Sequence, residues 1–103
     1  MEQLDHVSVA TKANVYFDGK CVSHSITLAD GTQKSVGVIL PATLTFKTGA
    51  PEIMELVEGT CHVTLDGETE ARTYQGGQSF SVPGNSQFNI EVTSTLHYIC
   101  HFG

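Results

Sequence analysis

The chain of 103 residues has no tryptophan, only three prolines and two methionines, and just five lysine and arginine side chains. It also lacks any run of about 20 apolar residues, the length that a membrane-crossing helix needs, so no membrane partner is expected. Eleven acids against five bases leave a net charge of −6. That field opposes nucleic-acid backbones and anionic membranes, so no nucleic-acid partner is expected either. A small anion is still permitted, because a few N–H groups and one cation suffice to hold it. The opening MEQLDHVSVATKAN is polar and acidic with no cationic start, unlike a secretory leader, and the cytoplasm is the expected compartment.

Cysteine is scarce and badly spaced for chemistry. Cys21, Cys61 and Cys100 are odd in number, and none forms a CxxC or zinc-knuckle spacing. Each lies in an apolar or β-branched run, so all three are expected as buried, reduced thiols.

With 40% hydrophobic and 16% charged residues, the chain is expected to close one core. Turn signals punctuate it throughout: Asp-Gly at 18–19, 30–31 and 66–67, Gly76-Gly77 and Pro83-Gly84. Between them lie NVYF, CVSHSITL, KSVGVIL, TLTFKT, CHVTL, ARTY, QSFSV, QFNIEV and LHYICHF, short runs rich in Val, Ile, Thr, Tyr and Phe. Several alternate: Phe80 with Val82, Phe88 with Ile90 and Val92, and Leu96 with Tyr98, Cys100 and Phe102 share faces that should form the core. CHVTLDGETEARTY reads as a hairpin about Asp66-Gly67. Residues 1–13 show no alternation and are expected as a loose arm before a barrel domain of residues 14–103. Eight or nine strands with little or no helix predict an all-β closed barrel or jelly roll.

One stretch resists this reading. PEIMELVEG has Pro51 at a helical first position, Glu52, Glu55 and Glu58 spaced by three, and Gly59 as a stop, all marks of a short helix. A lone seven-residue helix among strands would be marginal, so a strand beginning at Glu52 and ending in a turn at Gly59 is expected.

PEIMELVEG also fits the second half of the first cupin motif, a Glu followed by six residues and a Gly. GQSFSVPGNSQFNI fits part of the second motif, through Gly77 and Pro83. The blocks YFDGKCVSHSI, KSVGVILPATLTFKT, PEIMELVEGTCHVTL, YQGGQSFSVPGNSQFNI and HYICHF run in an order that resembles the small single-domain bacterial cupins known as pyrimidine/purine nucleoside phosphorylases. The resemblance covers about 90 residues and implies a single-domain RmlC-like cupin. Metal cupins contribute three histidines and a Glu. Here TFKTGAP precedes Glu52 without His-x-His, and Gly84, Asn85, Ser86 and Gln87 follow Pro83, so only Glu52 of that set remains. His6, His24, His62, His97 and His101 lie elsewhere, with His62 and His97 expected to face solvent. No bound metal and no cofactor are expected.

The resemblance implies phosphorolysis of purine and pyrimidine nucleosides to a free base and a (deoxy)ribose 1-phosphate, with phosphate as co-substrate. That chemistry must hold phosphate, orient the sugar hydroxyls and stabilise an oxocarbenium-like state. Glu52 is the catalytic candidate, accepting from the sugar hydroxyls; its plain reading is a solvated acid. For phosphate the candidates are Lys34 with Ser35, which are preferred, then Lys47 with Thr48, Arg72 and His101, each cation otherwise a solubiliser. Phe46 and Tyr98 are candidates for stacking on the base. A homodimer is expected, as in many cupins. The alternative is a non-catalytic small-molecule-binding cupin that has lost its metal; a metal-dependent dioxygenase or isomerase is disfavoured by the ligand count.

Overall fold

In the computed structural model, which describes residues 3–102, all five glycine-containing turn signals fall between strands. The strands are β1 (Ser8–Val9), β2 (Asn14–Tyr16), β3 (Cys21–Thr27), β4 (Gln33–Ile39), β5 (Ala42–Lys47), β6 (Glu52–Leu65), β7 (Arg72–Gln75), β8 (Ser79–Val82) and β9 (Gln87–Phe102). A 3-10 turn, Phe17–Gly19, joins β2 to β3, and no α-helix occurs among the described residues. At Asp30-Gly31 the chain reverses through a bond from Gly31 N–H to Leu28 O (2.9 Å), with the Asp30 carboxylate accepting from Thr32 N–H.

All pairings are antiparallel, in the order β1-β3-β4-β9-β6-β7, with β2 also on β3, β5 on β9 and β8 on β6. β6 and β9 are unusually long, and pair from Glu52 opposite Phe102 to Leu65 opposite Phe88. The C-terminal half of β9 carries β4 and its N-terminal half carries β5; β6 likewise carries β8, then β7. Two strands are thus shared by both halves of the sheet, which folds over into the expected cupin-type jelly roll. Its sheet stays open: the hydrogen-bonded path does not return on itself among the described residues.

The inward faces follow the alternation read from sequence. Leu56, Cys61, Val63, Val82, Ile90 and Leu96 are at most 2% exposed, and Phe80, Phe88 and Val92 join them in one core cluster. Burial of this kind contributes about 1.5–3 kcal/mol per large side chain.

Gly59 differs from expectation. It does not end the strand that starts at Glu52; it lies within β6, where the register with β9 shifts between Leu56 and Cys61. Its φ is +108°, and a Cβ there would collide with the Thr95 carbonyl oxygen. Glycine here makes a bulge that bends β6 from one half of the fold to the other, whereas a turn would have ended it. The sequence shows the same glycine either way.

The first thirteen residues contribute β1. Ser8 stands opposite Thr27 and Val9 opposite Ile26, Ala10 N–H donates to Ser25 O (2.9 Å), and the His24 ring N–H donates to Ala10 O (2.9 Å).

Candidate active site

Strand pleating decides which side chains meet inside the fold. On β6, Glu52 shares the inward face with buried Met54 and Leu56; on β9, Tyr98 and Cys100 face inward; on β4, Ser35 and Ile39; on β3, Cys21 and Ser23. Together with Phe46, Lys47 and Phe88 from the other half of the sheet, they line a cavity of about 190 Å3. Cys21, Ser23, Met54, Phe88, Tyr98 and Cys100 form its buried wall, and the exposed Tyr16, Lys47 and Phe102 form its rim.

The wall is dry enough to shift acidities. Burial raises the Glu52 carboxyl above the ordinary carboxylate range, and a hydrogen bond from the Cys100 thiol partly offsets this. Cys100 itself is pushed up to about 12, first by burial and then by the Glu52 carboxylate, while Ser35 hydrogen-bonds to it. Ser35, Cys100 and Glu52 are thus neighbours on the inner faces of β4, β9 and β6. Tyr98 is held above the ordinary phenol range, mainly by burial; its hydroxyl meets Cys21 Sγ at 3.5 Å and also reaches Ser23. It crosses Gly37, which stands opposite Tyr98 on one side and Ser23 on the other. Both thiols and the phenol stay neutral near pH 7, so the charge in the cavity lining comes from one carboxyl, Glu52, and, among the described residues, one cation, Lys47.

The other expected site residues separate by geometry. Lys34 and Ser35 were expected to act together, but adjacent strand residues point to opposite faces. Ser35 enters the cavity while Lys34 lies outside, its ammonium donating to His101 Nδ1 (2.6 Å), and His101 Nε2–H donates to Glu55 Oε1 (2.9 Å). His101 is outside for the same reason, being next to the inward Cys100. Thr48 is buried in a structural role: its hydroxyl donates to Pro83 O (2.6 Å) and accepts from Ser86 N–H (3.0 Å), tying the chain before β6 to the chain before β9. Arg72 projects from β7 to Glu68 (3.7 Å), with 68% of its side chain exposed. Glu52, Ser35, Phe46, Lys47 and Tyr98 are brought together.

Cys21, Ser23, Cys100 and Phe102 were not singled out for the site. Period-two alternation does place Cys21 with Ser23, and Tyr98 with Cys100 and Phe102; what it lacks is which strands face each other. His62 donates or accepts with Thr73 Oγ1 (2.9 Å) and His97 lies 3.8 Å from Glu58, both on the outer surface as expected. No group of three metal-ligating side chains occurs among the described residues. All three cysteines are buried and free.

A tight turn serves the rim. Phe17 and Asp18 both have φ of +53°, a left-handed conformation that costs a non-glycine residue roughly 1–2 kcal/mol. It sets the Phe17 ring edge-on to Phe46 at 5.1 Å, and Phe46 in turn stacks on Phe88 at 5.5 Å.

Solved structures similar to this one include a protein of unknown function from Acinetobacter sp. ADP1, 50% identical, with a TM-score of 0.96 and 98% of each chain covered. An RmlC-like cupin from Methanocaldococcus jannaschii, 16% identical, superposes with a TM-score of 0.64 over 91% of this chain and 90% of its own, which shows the cupin fold alone. Two proteins called pyrimidine/purine nucleoside phosphorylase, from Dechloromonas aromatica and Nocardia farcinica, are 67% and 66% identical over the whole of both chains. A relative of the same name from Aromatoleum aromaticum is 70% identical over 99% of this chain and 96% of its own. The family model described as pyrimidine/purine nucleoside phosphorylase matches residues 11–102, and the chain belongs to that family.

Proposed function

We propose that the protein is a nucleoside phosphorylase that cleaves purine and pyrimidine nucleosides with phosphate to free base and pentose 1-phosphate. The observation that carries the reading at the site is a cavity whose lining includes one acid, Glu52, and one base, Lys47, among neutral hydroxyls, thiols and rings. The full-length relatives bearing that name support it.

In this reading Glu52 accepts hydrogen bonds from the sugar hydroxyls and favours the positive charge that builds on the ring in the transition state. Lys47 holds phosphate at the rim, while Ser23 and Ser35 face the sugar beside Glu52. A phosphate oxygen bonds to the anomeric carbon while the carbon–nitrogen bond breaks, its electron pair leaving on the base. The base takes up, through solvent, the proton that phosphate gives up. No step is assigned to a metal. Residues 14–103 form the catalytic domain and residues 1–13 an N-terminal arm, of which Ser8–Val9 pairs with β3. The protein works in the cytoplasm as a homodimer, with the outward apolar face of β3, β4, β9 and β6 covered by a second copy.

The test is incubation with inosine or uridine, with and without phosphate, following free base by absorbance. Base released only with phosphate is expected. Equal release without phosphate would make it a hydrolase, and no release under either condition would leave a binding module.

A further inference from the structure

The cavity of about 190 Å3 is well under the roughly 300–1,000 Å3 of clefts that enclose a drug-sized ligand. Its polar wall groups, Ser23, Ser35 and Glu52, suit a hydroxylated ring, and a nucleoside seated with its sugar there leaves its base at the opening. That opening is edged by Tyr16 and Phe102, whose rings are on residues 47% and 48% exposed. The chain has only eight aromatic side chains, and it spends two of them uncovered at one cavity edge. The adjoining backbone is strained as well, with Phe17 and Asp18 left-handed immediately after Tyr16. The aromatic contacts continue inward: Phe17 on Phe46 (5.1 Å), Phe46 on Phe88 (5.5 Å), Phe88 on Phe80 (5.7 Å) and Phe80 on Tyr74 (5.1 Å). Phe46 at the cavity edge is therefore braced by the core.

We infer that Tyr16 and Phe102 form a base-stacking clamp at the cavity mouth, with Phe46 as its inner wall, gripping purine and pyrimidine rings by their faces. This rests on the phosphorylase reading and adds to it the residues that receive the base. Every base has a π-face, while hydrogen-bonding edges differ from base to base, so a clamp made of rings takes both classes and discriminates weakly. The purine, with two fused rings, overlaps the clamp more than the pyrimidine does and should depend on it more.

The test compares wild type with the Tyr16→Ala/Phe102→Ala double variant, and with Tyr16→Leu and Phe102→Leu, which keep apolar bulk but remove the π-face. KM is measured for inosine, uridine and phosphate, and calorimetry gives the binding of inosine, hypoxanthine and ribose 1-phosphate. The clamp requires KM for inosine to rise roughly tenfold or more, with a smaller rise for uridine. Phosphate KM and ribose 1-phosphate binding should stay within twofold, and Tyr16→Phe should behave as wild type. Unchanged nucleoside KM and unchanged inosine binding in folded variants overturn the clamp. So does a variant that loses ribose 1-phosphate equally, or one that only changes from dimer to monomer. If the wild type releases no base with phosphate, the phosphorylase reading fails, and inosine binding to wild type and variants still decides the clamp.

Discussion

Glu52 is the residue whose surroundings and proposed role pull against each other. Its carboxyl sits on a partly dry wall and its pKa is raised by burial. A raised carboxyl favours folding while protonated, and that contribution is lost as pH rises through the folded value. Glu52→Gln should therefore melt higher than wild type at pH 8, with the gap closing toward pH 4, when thermal unfolding is followed by circular dichroism. The same variant should lose turnover on the order of a hundredfold, since the charge that favours the oxocarbenium is gone. Wild-type kcat/KM should fall on the acid side above the ordinary carboxylate range. At the rim, Lys47→Ala should raise phosphate KM roughly tenfold, the value of a lost charge-assisted bond, while Lys34→Ala leaves it unchanged. Glu52 was legible in the sequence through its register with Gly59 in the cupin motif. Lys34 and Ser35 misled because adjacency in sequence suggests joint action, whereas a pleated strand sends neighbours to opposite faces.

Among the elements, β6 shows local and global preferences in conflict. PEIMELVEG carries Pro, Glu spacing and Gly as a helix would, yet Glu52–Leu65 pairs with β7, β8 and β9 along its length. Backbone hydrogen bonds on both sides and an inward row of Met54 and Leu56 outweigh a propensity worth tenths of a kcal/mol per residue. The bulge at Gly59 is the device that keeps β6 continuous. Gly59→Ala meets both the left-handed φ and the Thr95 carbonyl, and should destabilise by roughly 2–3 kcal/mol, read as a lower urea midpoint at unchanged slope. Strand existence was readable from alternation and turn residues. Continuity through Gly59 and through Ser94–Thr95 was not, because a glycine or a polar pair marks a bend and a chain reversal alike.

At the scale of the molecule, the outward face of the β3-β4-β9-β6 half remains to be accounted for. Val22, Val36, Val38, Val57 and Ile99 line a groove there with Leu4, Val7 and Val9 of the arm, crossed by the Lys34–His101–Glu55 line. An apolar sheet face of this kind is what a two-fold partner covers. Val57 is 40% exposed, so Val57→Glu leaves the fold intact and should shift the sedimenting species from dimer to monomer. A monomeric wild type at micromolar concentration would remove that proposal.

The sequence by itself determined the all-β class, the turns, the faces of most strands and the family, and it singled out Glu52 as the candidate acid. These follow from residue periods of two and from short motifs, which are local. Only the tertiary structure decided which hydroxyl, thiol, ring and cation join Glu52, because that depends on which strands pair and how the sheet folds over. Pairing brought Ser35, Cys100, Tyr98 and Lys47 to one cavity from three separate stretches of chain, and sent Lys34, His101 and Arg72 outside it.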